Sequence, residues 1–344
     1  CLVGSEMCIR DSSKGTYCKI MNNQTFWHGK PYYSLNAYCK NTYGEKLSKI
    51  ALNAGFTCPN RDGTLDRRGC IFCSGAGSGD FSMSLTSNQS MAHIIHSYLE
   101  QMTCQHPGNR YIGYFQAYTN TYASVDELMQ KYTAVLDFPQ VAGISIATRP
   151  DCLPPEVLQL LQDLKQRYPD KFIWVELGLQ TIHEKTAAFI RRGYPLSCFE
   201  DAVTALHRLQ IPVITHVILG LPGETASMQL QTISYLDTQP IWGIKLQLLH
   251  ILKDTDLGLL YENEPYRYHS YETLEDYVSM VILCLEHLRP DIVVHRLTGD
   301  APKELLLSPM WSLDKRKVLN TLHHEMKIHE TYQGRLYAGS IDTL

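Results

Sequence analysis

Short apolar runs rich in β-branched and aromatic residues alternate along this chain with longer amphipathic stretches. That alternation predicts a parallel sheet covered by helices: doubly buried strands read as continuous apolar runs, while each covering helix buries one stripe. Strands are expected over residues 49–53, 111–117, 143–147, 172–178, 213–219 and 244–249, and helices over 90–102, 125–136, 154–168, 198–209, 226–237 and 271–288. Pro154 and Pro155 suit the first turn of the third of these helices. A short strand over 292–295 and a helix over 313–329 are expected to close or cap the open side. Six strand–helix units of this kind make an α/β fold, a partial (three-quarter) barrel of TIM type with a C-terminal extension.

No internal repeat or low-complexity segment interrupts the pattern. The expected organisation is a basic N-terminal extension over 13–45, a core barrel over 46–290 and a capping extension over 291–344. Residues 1–12 fit nothing that follows and resemble a translated sequencing-adapter read-through. They are set outside the fold, and Cys1 and Cys8 are given no role.

The 344 residues are 44% hydrophobic and 19% charged, ordinary values for a globular protein, so one large domain is expected. No apolar run approaches the roughly 18 residues of a membrane-spanning helix, so no membrane partner is expected. Eleven scattered cysteines, an odd number, suit a reducing cytoplasm. A net charge of −4 makes no overall case for nucleic acid, but its distribution is uneven. Between Ser12 and Lys49 six lysines face Glu45 alone, a net of +5, and Arg61, Arg67 and Arg68 follow. A basic segment of that kind suits phosphates, as it also suits a solvated leader.

The chemistry concentrates in one stretch. Cys58, Cys70 and Cys73 lie close together with no local fourth cysteine. Cys70 and Cys73 flank two residues, a spacing that turns both sulfurs toward one centre, and Cys58 precedes an eleven-residue, Gly-containing, charged loop. A four-iron cube normally takes four thiolates, so three leave one iron open to a chelating amine and carboxylate. Structural zinc is the first rival, but it wants a second close pair of ligands. Cys39 and Cys104 are isolated, and His28 and His93 are distant. A disulfide with a spare thiol is the second rival.

With Ile71 and Phe72 between the last two cysteines, the stretch resembles the radical S-adenosylmethionine (SAM) superfamily. Further motifs follow in the order of one branch: Thr148-Arg149-Pro150-Asp151, Glu176 to Thr181, Arg191-Arg192-Gly193-Tyr194, and Gly220 to Thr225. That branch contains the catalytic subunit of Elongator and the oxygen-independent coproporphyrinogen oxidase. The chain is most similar to a family of bacterial proteins sharing the long first cysteine spacing. The resemblance spans residues 32–337. Most of the superfamily spaces its first two cysteines more closely, but the Elongator branch has a lengthened gap too.

The resemblance implies a [4Fe–4S] cluster on Cys58, Cys70 and Cys73, with SAM chelated at the open iron and cleaved to a radical that takes a hydrogen atom from substrate. It implies Gln180 and Glu176 at the SAM ribose, with pairing to Arg149 as the structural alternative for Glu176. Arg192 is implied at the methionine carboxylate, which a planar guanidinium suits, with Arg191 as a solvated neighbour. Relatives hold the methionine amine with a Gly-Gly-Glu stretch; here Thr119 and Asn120 stand in its place. Gly220 is expected to let backbone approach the cofactor, unless the segment is a plain Pro-Gly turn.

Active sites of such barrels lie where strands end. His216, Gln247 and His250 are therefore expected near the cavity, though core roles suit histidines equally. His295, Arg296 and Asp300 form a dense polar run after the seventh strand and are the candidates for substrate contact. His323 and His324 lack companion ligands. Two substrate classes follow from the resemblance: transfer RNA at a wobble uridine side chain, or a small metabolite or tetrapyrrole. The chain carries no acetyltransferase region like Elongator's, so that chemistry does not transfer whole. A flavodoxin- or ferredoxin-type electron donor is the implied partner.

Overall fold

The computed structural model describes residues 26–77, 79, 82–84, 93, 97, 98, 100 and 110–337. In chain order the elements are α1 (Leu35–Tyr43), β1 (Ser48–Asn53), β2 (Met83–Ser84), β3 (Tyr111–Phe115), α2 (Val125–Leu136), β4 (Val141–Thr148), α3 (Pro155–Arg167) and β5 (Phe172–Gln180). They continue with α4 (Glu184–Phe189), α5 (Leu196–Arg208), β6 (Val213–Leu219), α6 (Ala226–Asp237), β7 (Gly243–Leu248) and β8 (Ile251–Leu252). The last are α7 (Asp256–Asn263), α8 (Pro265–Tyr268), α9 (Leu274–His287), β9 (Val293–Arg296), β10 (Leu306–Ser308) and α10 (Lys315–Ile328).

One sheet runs in the order β2-β1-β3-β4-β5-β6-β7-β9 with every pair parallel. This is the expected partial barrel, with the seventh strand beside β7 and the two-residue β2 on the opposite edge. Every residue of β4 is buried, as a central parallel strand must be. Local chemistry sets the helix starts. The Ser124 side chain accepts from Glu127 N at α2, the Thr225 side chain accepts from Met228 N at α6, and Pro155 opens α3.

Three features depart from the pattern. The helix expected over 198–209 begins at Leu196 and is preceded by the short α4. Helices α7 and α8 fill the link after β7, and β8 pairs antiparallel with β10 outside the barrel. The helix expected over 90–102 falls mostly outside the described residues.

Alternation along the strands stacks the interior in layers. At the strands' N-terminal ends, Leu47, Ile112, Ala142, Trp174 and Ile214 pack with Tyr38, Tyr43, Phe172 and Trp242 into an aromatic plug. Phe172 and Trp174 stack at 3.9 Å between centroids, and Tyr38 of α1 meets Trp242 edge-on at 4.8 Å. The plug seals that end, so access is from the C-terminal ends of the strands. Beside β9, Val294 N donates to Tyr33 O at 2.7 Å, extending the sheet edge by one short segment. No helix among the described residues is long and apolar enough to cross a membrane.

Candidate active site

A cavity of about 430 Å³ opens at the C-terminal ends of the strands, and Cys58, Cys70 and Cys73 all line it. None of the three is in a disulfide, and all are partly exposed. Their loop is built on backbone turns: Arg61 N and Asp62 N donate to Cys58 O at 2.8 and 3.1 Å, and Cys73 N donates to Cys70 O at 3.0 Å. The Arg61 guanidinium then ties the end of the loop, donating to Cys73 O at 2.8 Å and Ser74 O at 2.6 Å. Gly69, at φ +77°, leaves room for it, since a Cβ there would stand 2.9 Å from Arg61 Nε. Burial, then the neighbouring Cys73 and Cys58, push the Cys70 thiol up to about 12. An electropositive group placed among the three sulfurs reverses that penalty. Among the described residues no three such ligands converge on one ion-sized point; a four-iron cube instead gives each thiolate its own iron.

Beneath the cysteines lies a layer of charge. Glu176 is fully buried on β5. Its Oε1 accepts from Lys49 Nζ at 2.9 Å and Ser145 Oγ at 2.6 Å, and its Oε2 accepts from His216 Nε2 at 2.7 Å and from Lys245 Nζ. Burial opposes its charge, but Lys245 and Lys49 outweigh burial and hold the carboxyl well below its ordinary range. Lys245 also donates to Tyr114 Oη at 3.0 Å. Burial and then Lys245 lower His216 to about 4, so the ring is neutral at pH 7. Neutral His216 donates from Nε2 to Glu176, leaving Nδ1 to accept from Gln247 at 3.2 Å.

Several expected residues meet at this cavity. Thr119, Gln180, His216, Gln247, His250, Arg296 and Asp300 line it. Gln180 sits where β5 slips register against β6, at φ +67°, with Oε1 buried and unpartnered. His250 Nε2 is likewise buried and unpartnered. Asp300 stands 3.8 Å from Arg296 and 2.8 Å from Lys315.

Others lie elsewhere. Glu176 is saturated by four donors and pairs with lysines rather than with Arg149, which pairs with Asp151 at 2.7 Å. Asn120 is buried, donating to Phe115 O at 3.2 Å and Ala147 O at 2.8 Å to bind β3 to β4. Arg192 is 2% exposed and donates to Tyr194 O, Leu179 O, Thr181 O and Glu184, stitching the link after β5. Its neighbour Arg191, expected in solvent, instead holds Asp256 and lies 3.9 Å from Asp66 at the cysteine loop. Gly220 faces Ser270 and Tyr271, where a Cβ would meet both at 2.9 Å. His295 packs at 4.9 Å from Trp242 in the aromatic plug.

Lys49, Tyr114 and Lys245 are site residues the strand pattern missed. Their signal was present: each carries a polar group among apolar neighbours within a strand, and all three line the cavity. Asn60 was missed too; its amide reaches Arg191 O at 2.8 Å and Cys70 Sγ at 3.6 Å.

Residues 64–236 match the family model described as the Radical SAM superfamily, and 241–328 match the Radical_SAM C-terminal domain. The chain is 41% identical to YtqA of Bacillus subtilis, over 92% of this chain and 97% of that protein. It is 36% identical to YhcC of Escherichia coli K12, over 78% and 84% of the two chains. Among solved structures, it resembles an Elp3 of the archaeon Methanocaldococcus infernus with a TM-score of 0.61. The identity there is 14%, covering 83% of this chain and 64% of that one.

Proposed function

Because this chain belongs to the radical SAM superfamily and is a radical SAM enzyme, we propose that Cys58, Cys70 and Cys73 ligate its [4Fe–4S] cluster and that its substrate is transfer RNA, at a wobble uridine side chain. The observation that carries the first part is that three cysteines of one loop, none in a disulfide, line a single cavity at the open end of the barrel. Unpartnered Gln180 Oε1 and His250 Nε2 in the same wall fit a cavity built to hold polar guests. When bound, the cluster supplies an electron and SAM a sulfonium, whose cleavage yields a primary radical able to take a hydrogen atom.

The chain's own residues prepare that chemistry. Arg61 ties the end of the cysteine loop, and Asn60 anchors the loop to the Arg191 carbonyl. Thr119 and Gln180 offer hydrogen-bonding groups for the nucleoside of SAM, and Arg296 and Asp300 are placed to meet substrate. The aromatic plug keeps water from reaching the site from below, which a reactive radical requires. The transfer RNA reading is supported by likeness to the Elongator branch and by the lysines and arginines lining the cavity. A flavodoxin- or ferredoxin-type protein as electron donor belongs to the same proposal.

Two measurements test it. Anaerobically reconstituted protein with dithionite should release 5′-deoxyadenosine from SAM, and Cys58→Ala, Cys70→Ala or Cys73→Ala should abolish both the brown chromophore and that release. An active, cluster-loaded triple variant refutes the ligand assignment. Nucleoside mass profiles of transfer RNA from a deletion strain should show a wobble uridine arrested at a precursor. Unchanged profiles refute the RNA substrate and favour a small molecule.

A further inference from the structure

The layer beneath the cysteines carries more positive charge than it neutralises. Glu176 is the carboxylate that Lys49 and Lys245 share, and all its hydrogen-bonding capacity is spent inside the layer. Each ammonium has three N–H donors. Lys49 places one on Glu176, and Lys245 places one on Glu176 and one on Tyr114. Arg296, one strand over on β9, meets Asp300 only at 3.8 Å, beyond hydrogen-bond reach. Asp300 is itself shared with Lys315. Lys49, Lys245 and Arg296 all line the cavity, and neutral His216 adds no countercharge.

We propose that Lys49, Lys245 and Arg296 form a receptor for a negatively charged group on the substrate, a carboxylate or a phosphate, entering through the cavity. The inference rests on the radical SAM reading of the site and adds the chemical class of what that site holds. Buried Lys245, with a donor to spare, is costly until paired, and a planar or tetrahedral oxyanion can accept from it and from the partly exposed Lys49 and Arg296 at once. Burial pulls the Lys245 ammonium well below its ordinary range, against the pull of Glu176. An arriving anion provides the second countercharge that keeps it protonated. It also fixes the substrate from below, leaving the far end of the molecule toward the cysteines' side of the cavity.

The test uses reconstituted holoprotein saturated with SAM, titrated calorimetrically with inorganic phosphate or propionate at constant ionic strength set by chloride. Saturable binding of either ion is expected, and the ion that binds identifies a phosphate or a carboxylate as the recognised group. Arg296→Gln and Lys49→Gln, on the half-exposed members, should each weaken binding by about tenfold or more, the loss of one charge-assisted hydrogen bond. Lys245→Met should do the same if it folds. Failure of both ions to bind, affinity unchanged in Arg296→Gln and Lys49→Gln, or displacement of SAM by the ions overturns the receptor; displacement would mean the cations serve the cofactor's own carboxylate. Retained iron and SAM cleavage in the same preparation mean that only the receptor has failed. Loss of both in the unmodified protein sinks the radical SAM assignment instead.

Discussion

Glu176→Gln is the sharpest perturbation of the charged layer. The amide keeps the size of the side chain but replaces one acceptor oxygen with an N–H₂ donor. Whichever way it turns, that donor faces one lysine together with Ser145 or His216. The lysine on that side loses its acceptor, while the Ser145 hydroxyl or the neutral His216 ring can turn to accept from the amide, and two ammonium groups, Lys245 buried and Lys49 partly exposed, are left without a carboxylate. Removing one partner of a buried ion pair costs about 3–5 kcal/mol. The one charge-assisted hydrogen bond lost accounts for about 1.5–3 kcal/mol of that cost. Urea unfolding followed by circular dichroism at pH 7 reads the change as a shift of midpoint at constant slope.

The pH dependence carries the signature. In the variant, Lys245 loses the attraction of Glu176 and its folded value falls further below that of the unfolded chain. Burial already lowers Lys245 in the wild type, so both proteins gain stability as pH rises toward the unfolded value, and the variant gains more only between its own folded value and that of the wild type. The deficit against wild type therefore shrinks as pH rises through that interval. It also shrinks in acid, because Glu176 is held well below its ordinary range and its stabilisation is lost as pH falls below about 4.5 through the folded value. Adding Lys245→Met to Glu176→Gln should recover part of the loss, since the stranded charge goes with it. A single-variant loss under about 1 kcal/mol, or a deficit that grows as pH rises above 7, refutes the ion-pair account.

Two further variants separate support from contact. Gly193→Ala places a Cβ 2.8 Å from Asn60 Oδ1 at φ +82°, and should cost about 1–3 kcal/mol while speeding chelator-driven iron loss; normal iron retention would count against Asn60 as the anchor of the cysteine loop. Arg192→Lys gives up a guanidinium that meets three carbonyls, and should lower the unfolding midpoint while weakening SAM binding less than Gln180→Ala does; the reverse order of SAM affinities would return Arg192 to the cofactor site.

What the sequence could and could not disclose divides along the reach of each signal. The cysteine loop was legible as a candidate site because its signal is local spacing: two residues separate Cys70 from Cys73, and Cys58 is joined to them by one loop. The parallel barrel was legible because doubly buried strands such as β4 leave apolar runs with no polar interruption. The direction of a side chain at a strand end is a different quantity, because a one-residue slip exchanges inside for outside. Register shifts occur at Gln180 on β5 and between β7 and β9, where Lys245 comes opposite Arg296. Hence His295 turns into the aromatic plug while Arg296 reaches the cavity, although both belong to one polar run. Arg192 and Arg191 both leave their expected surroundings: the link after β5 buries one guanidinium among carbonyls and pairs the other with Asp256, 3.9 Å from Asp66 of the cysteine loop. Lys49 and Lys245 went unread because each was weighed within its own strand. Only closure of the sheet brings strands 127 and 69 residues away from Glu176 onto one carboxylate, and that shared partner turns two isolated lysines into a floor with charge left over for a ligand.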